Sequence, residues 1–238
     1  MTENNKQTTF YNQYSQEKTT GFGRRLSIGV SRRIFEFAQI QQGSTVLEIG
    51  PGRGAFADIC LSNGIDYWAL EPNEDMAADL EQRGAHIIRS MVPPIPDLGR
   101  DFDVVLMSSV MEHMDSMSKA LEVAASIRNI LKPGGRFVVY APDYPNWGCH
   151  FFVGDFSHNY VTSWRRLQGL LISAGFREIR GRYQSSVFSG AFGYLISVLA
   201  SWLPFARLDI MFPHCRLLRK LYKLQTAFLR RVLIIGVK

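Results

Sequence analysis

Cysteine is scarce in this chain. Cys60, Cys149 and Cys215 are the only three in 238 residues, odd in number and far apart. They form neither a disulfide framework nor a spaced metal-ligand cluster, so no metal site is legible. A chain without disulfides suits a reducing compartment, and the expectation is a cytoplasmic protein. An apolar N-terminal run is also missing. Residues 1–20 are polar, with Tyr11 and Tyr14 as the main apolar handles, which argues against a secretory signal peptide. Charge is missing from residues 183–206, and acid is nearly missing beyond them. Of 27 basic residues, eight lie in 206–238, leaving 19 before them; of 21 acidic residues only Asp209 lies there, leaving 20. The whole excess of +6 therefore belongs to the tail, and the tail's partner is the question it raises.

What is present suits a globular α/β chain. Hydrophobic residues make up 46% and charged residues 20%, enough apolar material for one sizeable domain with an appendage. The organising stretch is Thr45-Val46-Leu47-Glu48-Ile49-Gly50-Pro51-Gly52-Arg53-Gly54-Ala55-Phe56. Val46, Leu47 and Ile49 suit a buried parallel strand. Gly50, Gly52 and Gly54 let the backbone turn sharply and leave room for a ligand against bare main chain. A helix opening near Ala55 would aim its first N–H groups at that ligand. The spacing is G-x-G-x-G, not the G-x-G-x-x-G of dinucleotide sites. A carboxylate at Glu48 would repel a pyrophosphate and suits a ligand with a cationic end.

The pattern E-x-G-x-G-x-G at the end of a first strand resembles motif I of the class I S-adenosylmethionine-dependent methyltransferases. Further matches follow in order. Residues 66–70 read as a second strand ending in Glu71-Pro72-Asn73, where a carboxylate accepts from both ribose hydroxyls. His86 to Ile88 reads as a third strand. The family often has an Asp shortly after it for the adenine amino group; here Arg89-Ser90-Met91-Val92 stands instead, which leaves adenine to backbone, Ser90 or Met91. Phe102-Asp103-Val104-Val105 resembles the family's F-D-x-V strand, whose end at Ser108 would lie under the methionine part. Val110-Met111-Glu112-His113 resembles the V-x-E-H of small-molecule members, with His113 at the mouth of the site. Leu131-Lys132-Pro133-Gly134-Gly135 is a further match before a fifth strand at 137–140.

The resemblance implies a doubly wound α/β fold with a seven-stranded, mostly parallel sheet whose last strand is antiparallel. It implies S-adenosylmethionine as cofactor, held by Glu48, Gly50, Gly52, Gly54, Glu71, Pro72, Ser90, Met91 and Ser108. Asp155-Phe156-Ser157-His158, then a helix, then Ala174-Gly175-Phe176, is similar to methyltransferases of surface-polysaccharide, quinone or lipid pathways. That makes His158 the candidate general base, since histidine takes a proton near neutral pH. Its plainer role is to hydrogen-bond the loop, and His113 could equally be a capping or core residue. Positioning can carry most of the rate of a methyl transfer, so an essential base does not follow from the chemistry.

The expected organisation is a helical cap at 1–40, a cofactor-binding core at 41–183, an apolar and basic helical insertion at 184–231, and a final strand at 232–238. The cap helix, 21–40, packs on the sheet and closes over the ligand, with 41–44 ending it. The uncharged run approaches a membrane span in length, but a strand must follow in the same sheet, which argues against crossing. A lid, a helix lying in a membrane interface beside the basic stretch, and a solvated basic helix stay open. The expected acceptor is a small or lipid-linked molecule such as a saccharide, methylated on oxygen. Contact through 187–231 would place the protein peripherally at the inner membrane face. A nucleic-acid acceptor is disfavoured, because the fourth strand ends in Met107-Ser108-Ser109 and not N/D-P-P-Y/F. A non-catalytic cofactor-binding or membrane-scaffolding protein is the other alternative.

Overall fold

The structure, a computed structural model, describes residues 20–238; Tyr11 and Tyr14 lie outside them. Helix α1 (Gly21–Ala38) starts where Thr20 Oγ1 accepts from the Gly23 N–H at 3.1 Å. It ends two residues before the expected stop. Gln39 takes the left-handed conformation and its N–H reaches the Glu36 and Phe35 carbonyls. Gly43, at φ +83°, belongs to the separate turn into strand β1 (Thr45–Ile49).

From there strand and helix alternate: α2 (Ala55–Ser62), β2 (Asp66–Leu70), α3 (Glu74–Gln82), β3 (His86–Ile88), β4 (Phe102–Ser108), α4 (Met117–Ile130) and β5 (Leu131–Pro142). Two short helices, α5 (Tyr144–Trp147) and α6 (His150–Val153), precede α7 (Trp164–Ser173) and β6 (Arg177–Gln184). Helices α8 (Gly190–Ser201), α9 (Phe205–Met211) and α10 (Arg216–Phe228) then lead to β7 (Arg231–Val237).

The sheet order is β3-β2-β1-β4-β5-β7-β6. β1 to β5 run parallel, and β7 slots antiparallel between β5 and β6. This is the doubly wound, seven-stranded, mostly parallel fold with an antiparallel last strand. β5 is longer than the sequence suggested. It opens at Leu131 and takes in the Lys-Pro-Gly-Gly turn, where its register against β4 shifts: Phe102 pairs with Leu131 but Val104 with Arg136. Gly134, at φ +76°, supplies the conformation that step needs.

The alternation of side chains along each strand covers both faces. Val46, Val104, Leu106 and Val138 pack with Val30, Ile34, Phe56 and Cys60 from α1 and α2. Leu47, Val105, Met107 and Val139 pack with Ala120, Val123, Leu167 and Leu171 from α4 and α7. Helix α1 is thus a layer of the core as well as a cover.

The chain between β6 and β7 is the insertion. Its uncharged run is not one helix: Pro204 separates α8 from α9. Residues 190–211 have the length and composition of a membrane span, at mean hydropathy 1.4, but they break in the middle and the chain returns to the sheet. Helix α8 is inverted relative to an ordinary surface helix. Its small residues Gly193, Ser197 and Ala200 are buried, while Phe192, Leu195 and Leu199 face outward. Buried polar side chains pin the inner face. Ser197 Oγ donates to Asn146 Oδ1 at 2.8 Å, and Gln225 Nε2 donates to the Ala200 carbonyl at 2.8 Å. Arg230, just before β7, pairs with Asp143 just after β5 and lies over the Tyr194 ring at 4.7 Å.

Candidate functional site

A cavity of about 910 Å³ opens at the carboxyl ends of β1, β2 and β4, where open α/β sheets bind ligands. At its inner end β1 runs into the glycine loop. Gly50, Gly52 and Gly54 all take positive φ, at +69°, +52° and +73°. Their reasons differ. A Cβ on Gly52 would meet nothing within 4 Å, so the space beside it is open to a ligand. A Cβ on Gly54 would stand 2.9 Å from the Arg83 guanidinium nitrogens and press on Leu80. Gly54 caps α2 and does not line the cavity, so its expected ligand role becomes a packing role.

Two carboxylates face this end. Glu48 is 3% exposed, and Tyr67 Oη donates to its Oε2 at 2.6 Å. Burial pushes its pKa up to about 7; the Tyr67 bond opposes this and Glu71 adds to it. Glu71 Oε1 accepts from the Asn73 N–H at 2.9 Å and Oε2 from the Gly52 N–H at 3.3 Å. Burial raises its pKa, against the pull of these two bonds. Glu71 therefore ties the end of β2 to the glycine loop, at the place a ribose would take. Pro72, Ser90, Met91 and Ser108 line the same cavity. The Ser90 hydroxyl donates to the Met91 carbonyl at 3.1 Å, which leaves its lone pairs free to accept. Ser31 and Val30 of α1 close one wall. These residues fit the expected cofactor: carboxylates for its ammonium and its hydroxyls, and bare glycine backbone.

The outer end gathers residues from three distant segments. The Asn159 and Tyr160 N–H groups donate to the Glu112 carbonyl at 3.0 and 3.1 Å. That pairing brings His158 beside His113, with ring centres 4.8 Å apart. His158 Nδ1 lies 2.5 Å from the Phe151 carbonyl. His113 Nδ1 lies 2.8 Å from Ser157 Oγ, whose own proton goes to Asp155 Oδ1 at 2.6 Å. Burial lowers both histidines, His113 to about 4 with the help of His158. Both are neutral at pH 7 and able to accept.

Sequence reading missed several members. Glu112 is 1% exposed with Oε2 unpartnered, and burial pushes its pKa up to about 7. It stood inside the V-x-E-H segment, and its apolar neighbours Val110 and Met111 were the available signal of burial. With His113 and His158 it puts three donor atoms within 4.8 Å of one another. The expectation of no metal-ligand cluster is corrected on that point, because His158 comes from a loop 45 positions away and spacing cannot show it. Arg231, at the start of β7, donates to Ser109 Oγ at 2.9 Å and lies over Trp147 at 4.7 Å. Ser109 itself sits at φ +57°, a left-handed conformation that is strained for a non-glycine residue. Asp209, Arg219, Tyr222 and Lys223 bring α9 and α10 to the rim.

Comparison with known proteins agrees with this arrangement. Residues 23–180 match the family model described as a methyltransferase domain. A protein of Encephalitozoon cuniculi described as a methyltransferase is 28% identical over 139 residues, 58% of this chain and 60% of that one. A ribosomal RNA small subunit methyltransferase A of Chlamydia trachomatis is 42% identical over 53 residues, 22% of this chain and 19% of its own. The chain thus spans three fifths or less of these curated relatives. The crystal structure of a SAM-dependent methyltransferase from Archaeoglobus fulgidus superposes with a TM-score of 0.61 at 20% identity, over 90% of this chain and 94% of that one, and so shares the fold. With a family match over more than half its length and a glycine loop, paired carboxylates and sheet order to accompany it, the chain belongs to the methyltransferase-domain family.

Proposed function

We propose that this protein is an S-adenosylmethionine-dependent methyltransferase that methylates an oxygen of a small or lipid-linked acceptor, such as a saccharide. The observation that carries the reading is the continuity of one cavity, from Glu48 and Glu71 past Ser108 to His113 and His158, with the inserted helices at its rim. When bound, S-adenosylmethionine supplies a methyl group on a sulfonium with a neutral thioether as leaving group. The chain's part is to hold, orient and exclude water. Glu48 faces the ammonium end, and Glu71 accepts from the ribose hydroxyls in place of the Gly52 bond. Ser90 and Met91 border the base, and Ser108 lies under the reacting end.

At the acceptor end His158 is the base. Its Nδ1–H donates to the Phe151 carbonyl, which leaves Nε2 as the atom that takes the acceptor's hydroxyl proton. Burial holds its basicity down, so positioning carries a large part of the rate. His113, fixed through Ser157 and Asp155, orients the acceptor.

The lipid-linked part of the proposal draws on the insertion's outer surface. Phe192, Leu199, Trp202 (83% exposed), Met211, Phe212 and Leu217 form an exposed apolar set. Arg207 and Arg216 lie among them in the chain, and Arg219, Lys220 and Lys223 follow. Large apolar side chains interleaved with cations suit the headgroup region of an anionic membrane better than the phosphates of a nucleic acid, which would leave the apolar set in water. The insertion then lies on the inner membrane face and delivers the acceptor to the cavity rim.

The test is incubation of the purified protein with methyl-labelled S-adenosylmethionine and a cell extract, followed by separation of lipid, polymer, nucleic-acid and small-molecule fractions. Label in lipid is expected. Label only in aqueous small molecules would make the insertion a wall of the pocket with no membrane task. Label only in nucleic acid, or none in any fraction, would overturn the reading.

A further inference from the structure

We propose that Glu112, His113 and His158 form a binding site for a divalent cation of the zinc, iron or manganese kind at the acceptor end of the cavity. Two imidazoles and one carboxylate on one side of a pocket, with the other side open, is the donor set such ions take in catalytic sites. The three donor atoms lie within 4.8 Å of one another. Ligands on one ion at about 2.1 Å stand about 3.4 Å apart in a tetrahedron, so binding draws them in by about an ångström.

Two independent features point to a ligand. First, Glu112 lines the cavity, and its Oε2 is buried without a hydrogen-bond partner. A buried carboxylate oxygen without a partner is costly. The Glu112 carbonyl is taken by the Asn159 and Tyr160 N–H groups, and its own N–H favours charge on the carboxyl, so the unpartnered atom is the side-chain Oε2. Second, both imidazoles are held from behind. His158 is anchored on the Phe151 carbonyl, and His113 on the Ser157 hydroxyl, which Asp155 in turn holds. Hydrogen bonding of one ring nitrogen, which fixes ring orientation and tautomer, is how proteins prepare histidines as metal ligands.

The groups that oppose a cation are also in view. The Arg231 guanidinium shares the cavity and stabilises charge on Glu112. It is retained by Ser109 and lies over Trp147 and Tyr140, at 4.7 and 5.5 Å, so it does not close onto Glu112. Arg231 therefore weakens the site electrostatically without filling it.

The consequence for chemistry rests on the acceptor reading above; the binding itself does not. A cation on these ligands, with open positions toward the pocket, would bind the acceptor's hydroxyl directly and lower its pKa. With His158 Nε2 on the ion and no longer the base, the hydroxyl proton would leave to solvent, and the alkoxide oxygen would bond the methyl carbon as the carbon–sulfur bond breaks and releases the neutral thioether.

The experiment is titration of Zn²⁺ and Co²⁺ into the chelator-treated 238-residue protein without cofactor or acceptor. Calorimetry reads affinity and the Co²⁺ visible spectrum reads coordination. One equivalent is expected to bind, with a Co²⁺ spectrum distinct from that of the aqueous ion. Glu112→Gln and His158→Gln should each weaken binding by at least about tenfold. Arg231→Gln should tighten it severalfold, a change that simple unfolding would not produce. Absence of one-equivalent binding in the wild type, or binding unaltered in both ligand variants while circular dichroism shows them folded, overturns the proposal. Methyl transfer undiminished by chelation would remove the catalytic consequence and leave the site.

Discussion

Replacing Glu48 by Gln should make the unliganded protein more stable and a poorer cofactor binder, and the gain in stability should depend on pH. Glu48 is almost fully buried and its folded pKa is about 7, against 4.5 unperturbed. Above pH 4.5 the folded state holds a proton that the unfolded state has released, so stability falls as pH rises from 4.5 through about 7. Integrated at 1.36 kcal/mol per pH unit, the loss is about 1.4 kcal/mol at pH 5.5 and about 3 kcal/mol at pH 8. Glutamine removes the charge but keeps an amide oxygen that can accept from Tyr67, whose hydroxyl now donates at 2.6 Å. Glu48→Gln should therefore unfold at higher denaturant than wild type at pH 8, with less than half that advantage at pH 5.5. In melting temperature the pH 8 gain is about 6 to 12 °C for a chain of this size. Cofactor affinity should fall by tenfold or more, because a hydrogen bond between charged groups contributes about 1.5–3 kcal/mol. Urea unfolding of the unliganded proteins at both pH values, with calorimetric titration of S-adenosylmethionine, reads all of this. A variant no more stable at pH 8, equally stabilised at both pH values, or unaltered in affinity would refute the argument.

Other outcomes separate the site from its frame. Gly52→Val should abolish cofactor binding in calorimetry, while the positive φ there costs about 1–2 kcal/mol of stability; full affinity would show that no ligand passes that position. Gly54→Ala should lose more stability than Gly52→Ala, because its methyl meets Leu80 and Arg83; equal melting temperatures would sink that distinction. Asp143→Ala should cost about 3–5 kcal/mol in urea unfolding by leaving Arg230 buried without its partner, and a loss under about 1 kcal/mol would show the pair to be compensated. Trp202→Glu should release the protein from anionic vesicles in sedimentation without altering its fold. Undiminished binding would mean that the insertion's apolar face does not enter the membrane.

Much of this molecule can be read along the chain because its signals are local. Val46 to Phe56 specify strand, turn and helix within twelve residues, and each glycine there takes positive φ. Glu71 is marked by its place at the end of β2, and residue alternation along the strands assigns them to a sheet covered on both faces. Other features could not be read, because they depend on what meets across the fold. Both Gly52 and Gly54 are glycines in one motif, yet only the neighbours Leu80 and Arg83 make one a packing position and the other open space. The inversion of α8 follows from Asn146 and Gln225 reaching its small inner residues, partners 51 and 25 positions away. Glu112 and His113 are adjacent in sequence, but it takes the pairing of Asn159 and Tyr160 with the Glu112 carbonyl to set His158 beside them. The sheet, the glycine loop and the carboxylates of the cofactor end are legible along the chain, since periodicity and turn chemistry act over a few residues. At the acceptor end the resemblance marked His113 and His158 singly, but their meeting with Glu112 and Arg231 came from the tertiary structure, because it depends on long-range packing and carries no common spacing.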